Sequence, residues 1–185
     1  MIIYIHGFNS SSASLKAQQL QHWLAARGRA HEWVCPDLPD RPLSAIALLS
    51  DLIEQAPTPP KLIGSSLGGF YATYLASQYT LKAALVNPAI HPGLLLRSLL
   101  GGVQQHWHDA GTYTFTQAHL DDLLAMDQLS PANPHNLLVL LENGDKTLDW
   151  RDATSYYRKA HQLIFQGGNH GFTRFLDVLD LIDRF

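Results

Sequence analysis

Short apolar runs alternate with helix-like segments along the whole chain. Six of these runs have the composition of strands, at residues 2–5, 32–35, 61–63, 83–86, 137–141 and 162–165. Most are continuous Val, Ile and Leu stretches, which are typical of parallel strands covered on both faces. Between them the pattern predicts helices over residues 13–27, 43–55, 67–78, 152–159 and 173–184. This alternation predicts one α/β domain over residues 1–185, built on an open, doubly wound parallel sheet.

One interval interrupts the alternation. Residues 88–135 contain no clear strand that would extend the sheet, and a structureless loop of that length is uncommon in a compact domain. Residues 94–100 and 117–126 have helical patterns, and residues 113–116 are short and β-prone. We therefore predict a small helical cap, inserted over about residues 88–135 between consecutive strands of a sheet with the order 2-1-3-4-5-6.

A serine motif lies where the third strand meets the following helix. Residues 64–69 read Gly-Ser-Ser-Leu-Gly-Gly, which contains the G-x-S-x-G pattern. In a sharp strand–turn–helix connection this spacing lifts a serine hydroxyl clear of the sheet, and the crowded flanking positions require glycine. Ser66 has glycines at both flanking positions and Ser65 does not, so we predict Ser66 as the nucleophile. The alternative is a glycine-rich turn with solvated serines; the motifs of phosphate-binding loops are not present.

The loop after the first strand reads His-Gly-Phe-Asn from His6. Acyl transfer places negative charge on an oxygen, which preorganised backbone N–H groups stabilise. In the strand–turn–helix architecture one donor follows the nucleophile, here Leu67, and the other comes from an H-G-x loop, here Phe8. We expect His6 to shape this loop rather than to act as a base. In the predicted strand order the first and third strands are neighbours, so the two loops would meet at one crevice.

The acid and the base are expected in the chain order Ser, Asp or Glu, His. Asp145 lies in the loop after the strand at 137–141, and His170 lies in a glycine-flanked loop after the last strand. His170 would take the serine proton while Asp145 fixes the ring tautomer. Asp149 is the rival acid, although it also has the position of a helix N-cap.

Composition excludes several classes of function. A formal net charge of −3 over 185 residues gives no basic stripe for nucleic acid. The single cysteine, Cys35, and an N-terminus without a leader-like or spanning apolar run predict a cytoplasmic protein with no membrane span. His106, His108 and Asp109 form a short cluster, but a closed four-ligand set with zinc-like spacing is not present, so we predict neither metal nor cofactor.

Several segments together resemble a known family. They are HGFNSS, GSSLGG, NPA, NGDKTLDW and GGNH, and they resemble the small bacterial esterases of the YqiA type over nearly the whole chain. The resemblance implies an α/β-hydrolase fold that lacks the first two strands of larger relatives. It also implies carboxylesterase activity, with thioesters such as acyl-CoA as further substrates. By motif, it carries Ser66, Asp145 and His170 over as the catalytic triad.

Two functions follow from these observations. The first is a serine hydrolase that cleaves small acyl esters or acyl-CoA thioesters through an acyl-enzyme. Its pocket candidates are apolar residues of the cap, Leu95, Trp107, Tyr113 and Phe115, which as a stripe fit the core of the cap equally well. The second is a non-catalytic ligand-binding protein with the same fold. We assign no oligomeric state.

Overall fold

A computed structural model of the chain describes residues 1–108 and 110–185. Its strands are β1 (Ile2–Ile5), β2 (Trp33–Val34), β3 (Lys61–Ser65), β4 (Ala83–Val86), β5 (Val103–Gln105), β6 (Thr112–Thr114), β7 (Leu137–Glu142) and β8 (His161–Phe165). Within the described residues six of them form one parallel sheet in the order β2-β1-β3-β4-β7-β8, and two form a separate antiparallel hairpin, β5-β6. The predicted order is confirmed, because β7 and β8 are the fifth and sixth strands of the sheet.

Helices cover both faces of the sheet. They are α1 (Leu15–Ala25), α2 (Pro42–Glu54), α3 (Leu67–Tyr79), α4 (Pro92–Leu95), α5 (Gln117–Met126), α6 (Trp150–Tyr156) and α7 (Phe175–Arg184). No helix within the described residues is long and apolar enough to cross a membrane.

Alternate residues of each central strand supply two separate cores. Ile2 and Tyr4 of β1 pack with α1 and α7, whereas Ile3 and Ile5 pack with α2, α3, α5 and α6. Because both faces are buried, β1, β4 and the first five residues of β7 carry apolar or aromatic side chains at every position, and this explains their continuous apolar runs. Removing this apolar surface from water is the main stabilising contribution to the sheet.

The strand register places the carboxyl ends of the central strands at one edge. Ile5 pairs with Gly64, and Ser65 pairs with Val86, so β1, β3 and β4 end side by side. Parallel strands that end together send their following loops to the same crevice. The loops that carry Phe8, Ser66 and Asn87 therefore leave the sheet at the same place.

The chain between β4 and β7 forms α4, a short 3₁₀ turn at Arg97–Leu99, the β5-β6 hairpin and α5. This segment, the proposed cap, shares a core with the main domain, since Phe115 and Leu123 are buried together with α2 and α3. A bidentate ion pair also holds it, in which the Arg41 guanidinium donates to both carboxylate oxygens of Asp122 at 2.9 and 3.0 Å.

Candidate active site

Ser66 occupies the sharp turn between β3 and α3. Its backbone has φ 55° and ψ −121°, a conformation that L-residues rarely adopt and that costs about 1–3 kcal/mol. Strand β4 and the loop after it hold the turn: the Ser66 N–H donates to the Val86 carbonyl at 3.1 Å, and the Ser66 carbonyl accepts from the Ala89 N–H at 3.0 Å. A Cβ on Gly64 would collide with the Gly68 carbonyl, which explains the glycine at this position.

Three side chains form a continuous hydrogen-bonded chain. The Ser66 hydroxyl donates to Nε2 of His170 across 3.0 Å, and Nδ1–H of His170 donates to Oδ2 of Asp145 across 2.7 Å. Ser66 and His170 are 104 residues apart in the sequence. The three residues come from the loops after β3, β7 and β8, and this arrangement suits transfer of the serine proton to the imidazole.

Asp145 is built to remain ionised. Its side chain is only 2% exposed. Burial acts to raise the pKa of this carboxyl, but hydrogen bonds from His170 and from the backbone N–H groups of Leu148 and Thr147 outweigh it, so the pKa lies below its ordinary value. Asp149, the alternative acid, instead caps α6, because its carboxylate accepts from the Arg151 N–H at 2.9 Å.

The loop after β1 lies against the nucleophile. A Cβ on Gly7 would lie only 3.3 Å from the Cβ of Ser66, so glycine allows this close approach. Among the described residues, no protein acceptor takes a hydrogen bond from the N–H of Phe8 or of Leu67. These two donors are therefore available to a ligand oxygen.

His6 shapes this loop. The Leu38 N–H donates to Nε2 of His6 at 3.1 Å, so the ring carries its proton on Nδ1, which donates to the Gly7 carbonyl at 3.0 Å. Burial lowers the pKa of His6 more than the bond to Gly7 raises it, and the neutral ring keeps this pattern. Its two nitrogens are thus engaged with the backbone.

A cavity of about 690 Å³ opens beside Ser66 and His170. Much of its wall is apolar and includes Leu95 and Trp107, two of the predicted pocket residues. Tyr113 instead lines a smaller neighbouring pocket of about 130 Å³. Phe115 is 1% exposed and lies in the core. Only the first two of the four therefore border the cavity that contains the serine.

Two further residues hold the loop that carries His170, and the sequence reasoning missed their role. Glu142, fully buried at the end of β7, accepts hydrogen bonds from the N–H groups of Asn169, Thr173 and Arg174 and from the Thr173 hydroxyl. Asn87 donates to the carbonyls of Asn169 and His170 at 3.0 and 3.2 Å. The only sequence signal for Glu142 is a carboxylate directly after five apolar strand residues.

The histidine cluster at 106–109 does not come together with a set of metal ligands in the part of the chain that the structure describes. No group of three or more His, Cys, Asp or Glu side chains suited to a metal ion occurs among residues 1–108 and 110–185. His106 instead bonds through Nε2 to Asp40 at 2.7 Å. Asp109, the last residue of the cluster, lies outside the described residues.

Two sequence comparisons match the chain over its whole length. The sequence model of an uncharacterised protein family, UPF0227, matches residues 1–185. A UPF0227 protein of Vibrio parahaemolyticus is 24% identical over 190 residues, covering 100% of this chain and 98% of that protein.

Two solved structures show the same architecture. Alpha/beta hydrolase domain-containing protein 10 from mouse superposes with a TM-score of 0.73 at 16% identity, over 99% of this chain and 89% of that chain. Est1E from Butyrivibrio proteoclasticus, in a structure with ferulic acid bound, gives 0.72 at 13% identity, over 99% and 86%. The protein therefore has the α/β-hydrolase fold.

Proposed function

The chain belongs to the uncharacterised protein family UPF0227, and we propose that it is a serine hydrolase of small acyl esters or thioesters. The observation that carries this proposal is the chain of hydrogen bonds from Ser66 through His170 to Asp145, at the edge of the 690 Å³ cavity. The unused N–H groups of Phe8 and Leu67 beside it support the proposal, because acyl transfer requires donors at that place.

The first half of the reaction acylates Ser66. Its oxygen attacks the acyl carbon while the hydroxyl proton passes to Nε2 of His170, and the N–H groups of Phe8 and Leu67 stabilise the negative carbonyl oxygen. The bond from the acyl carbon to the leaving oxygen or sulfur then breaks, and His170 returns the proton to the leaving group. Asp145 stabilises the imidazolium between these steps.

The second half releases the acid. Water attacks the acyl-enzyme and gives its proton to His170, and the bond between the acyl carbon and the Ser66 oxygen breaks. The proton returns to Ser66, so the products are a carboxylic acid and a regenerated serine. In both halves a bond to the acyl carbon forms for each one that breaks, and His170 carries the proton, so the reaction requires no cofactor.

The cavity supports an acyl substrate with an apolar portion. Its lining next to Ser66 includes Leu95, Leu96, Trp107 and Leu148. Apolar walls with a few polar groups are typical of small-molecule sites, and its volume is within their usual range of about 300–1,000 Å³. Est1E, which shares the fold, was solved with ferulic acid, an aromatic carboxylic acid.

A panel of p-nitrophenyl esters and acyl-CoA thioesters of graded chain length tests the proposal. We expect the wild-type protein to turn over at least one series, and Ser66→Ala to lose at least about a thousand-fold in kcat. Ser65→Ala, which changes the adjacent serine, is the matched control and should keep kcat within about ten-fold. Equal turnover by wild type and Ser66→Ala would refute the nucleophile, and saturable binding without turnover would favour a non-catalytic binding protein.

A further inference from the structure

Asn9, directly after the proposed oxyanion donor Phe8, has a left-handed backbone with φ 55°. Asparagine tolerates this conformation better than most residues, but it still favours neighbours that hold it in place. The proposed cap supplies two such contacts. The Trp107 N–H donates to the Asn9 carbonyl at 2.9 Å, and the Tyr113 hydroxyl donates to Oδ1 of Asn9 at 2.8 Å.

Gly7, the residue before Phe8, is held by hydrogen bonds to its carbonyl. The Gly7 carbonyl accepts from Nδ1–H of His6 at 3.0 Å and from the Ser10 N–H at 3.2 Å. Gly7 C=O and Phe8 N–H belong to one planar trans peptide and point in opposite directions. The direction of the Phe8 N–H is therefore set by the contacts on Gly7 and Asn9 together.

The Tyr113 side chain is itself well supported. Its ring stacks on the His119 ring with centroids 5.5 Å apart and an angle of 28° between the planes. Nδ1 of His119 in turn contacts the hydroxyl of Thr116 at 2.8 Å, at the start of α5. Burial raises the pKa of Tyr113, so the hydroxyl keeps its proton and remains a donor to Asn9.

Phe8 also contacts the core beneath the proposed cap. Its ring packs edge-on against Phe115 with centroids 6.2 Å apart. Tyr113 and Phe115 were both expected to line the acyl pocket, yet they approach the loop of the oxyanion donor instead. Phe115 contacts Phe8 and Tyr113 contacts Asn9, so the two residues touch consecutive positions of that loop.

We propose that Tyr113 is a positioning residue that holds the oxyanion loop through Asn9, so that the β5-β6 hairpin aims the Phe8 N–H at the reacting oxygen. This inference rests on the proposed hydrolase function. Trp107 contributes both to the oxyanion loop and to the cavity, because its backbone N–H donates to the Asn9 carbonyl and the residue also lines the cavity. Changes in the hairpin therefore act on the rate of the chemical step as well as on substrate fit.

Tyr113→Phe tests the inference by removing only the hydroxyl. An oxyanion donor interacts with the transition state more strongly than with the substrate, so misdirecting it lowers kcat and leaves KM nearly unchanged. Complete loss of one donor costs about 10²–10³ in kcat, and we expect about a ten-fold loss from a donor that remains but is less well aimed. A boronic acid that mimics the tetrahedral intermediate should bind more weakly by a similar factor.

Tyr79→Phe is the matched control. Its hydroxyl also donates a hydrogen bond, to Glu54 at 2.7 Å, but it lies at the far end of α3 from Ser66. We expect its kcat, KM and boronic acid affinity to equal those of the wild type. Asn9→Gly is a second variant, which keeps the left-handed backbone accessible while it removes the acceptor of the Tyr113 hydroxyl, and it should reproduce the loss in kcat.

The outcomes separate the inference from the function on which it rests. Active wild-type protein with an unchanged kcat in Tyr113→Phe and Asn9→Gly would overturn the inference and leave the hydrolase intact. A raised KM at unchanged kcat would also overturn it, since Tyr113 would then be a pocket residue. A wild-type protein that turns over neither esters nor thioesters would remove the proposed function, and the inference with it.

Discussion

Glu142 offers a quantitative test of how the catalytic histidine is held. Its carboxylate accepts four hydrogen bonds from the His170 loop: Oε2 from the N–H groups of Asn169 and Thr173 at 2.7 and 3.1 Å, and Oε1 from the Thr173 hydroxyl and the Arg174 N–H at 2.7 and 3.2 Å. Glu142→Gln keeps the shape but replaces one acceptor oxygen with a donor NH₂ group. The substitution therefore isolates the charge and the acceptor capacity from packing.

The expected loss of stability follows from these contacts. The least disruptive amide orientation keeps the oxygen facing Asn169 and places NH₂ beside Thr173, whose hydroxyl can turn to accept. The Arg174 N–H is then left facing a donor. One orphaned buried donor costs about 1–3 kcal/mol, so we expect Glu142→Gln to lose about 2 kcal/mol. Glu142→Ala leaves all four donors without their acceptor and should lose at least about 4 kcal/mol, which corresponds to the low end of that cost for each donor.

The pH dependence has a definite sign. Burial acts to raise the pKa of Glu142, but hydrogen bonds from Thr173, Asn169 and Arg174 outweigh it and the pKa is lowered. A carboxyl with a lowered folded-state pKa contributes stability above its unfolded pKa of about 4.3, and this contribution is lost as pH falls through the folded value. The difference between wild type and Glu142→Gln should therefore be constant near neutral pH and shrink below about pH 4.

Urea denaturation followed by tryptophan fluorescence measures these differences. Asp51→Asn, an exposed carboxylate-to-amide change on α2, is the matched control and should stay within about 0.5 kcal/mol of the wild type. We also expect Glu142→Gln to lower kcat several-fold, because the loop that carries His170 loses part of its support. A Glu142→Gln protein as stable as the wild type at neutral pH, or a difference that persists unchanged in acid, would refute the reasoning.

Three further predictions concern the acid, the turn and the proposed cap. Asp145→Asn should lower kcat by about 10²–10⁴, because the amide oxygen stays with the N–H groups of Thr147 and Leu148 and the NH₂ group then faces Nδ1–H of His170, which cannot donate to it. Asp149→Asn should lose at most about ten-fold, and ester kinetics compare the two variants. Gly64→Ala should lose about 2–3 kcal/mol by urea denaturation, because its Cβ would meet the Gly68 carbonyl and the Ala72 Cβ, and an unchanged stability would contradict the crowding argument. Asp122→Ala should lose about 1–2 kcal/mol by the same method, since Asp122 is buried while Arg41 is half exposed; a loss below 0.5 kcal/mol would show that the ion pair does not hold α5.

Local patterns were sufficient to predict the positions of the central strands. Strands buried on both faces require continuous apolar runs, and β1, β4 and β7 have them, so their positions follow from composition alone. Element ends depend on capping side chains as well as on the apolar pattern. The last helix before β8 begins at Trp150, two residues before the predicted start, because Asp149 caps it at that point. It ends at Tyr156 rather than at residue 159.

Long-range contacts explain what the sequence did not reveal. In the sequence Tyr113 is one of several aromatic and aliphatic residues of the proposed cap, which predicts a pocket residue. Its hydrogen-bond partner Asn9 is 104 residues away, so no local pattern connects the two. Glu142 and Thr173 are 31 residues apart and meet only because β7 and β8 are neighbours in the sheet. The residues of the proposed reaction follow from motifs, whereas the residues that hold them depend on the tertiary structure.

The central claim, that Ser66 is an activated nucleophile, has a direct test in fluorophosphonate labelling followed by peptide mass mapping. The probe forms a stable phosphonyl ester with a serine whose hydroxyl proton can pass to a neighbouring base. We expect one adduct on the peptide that contains Ser66, with no adduct in Ser66→Ala and much slower labelling in His170→Ala. A folded wild-type protein that remains unlabelled, or that carries the adduct on Ser65, would contradict the claim.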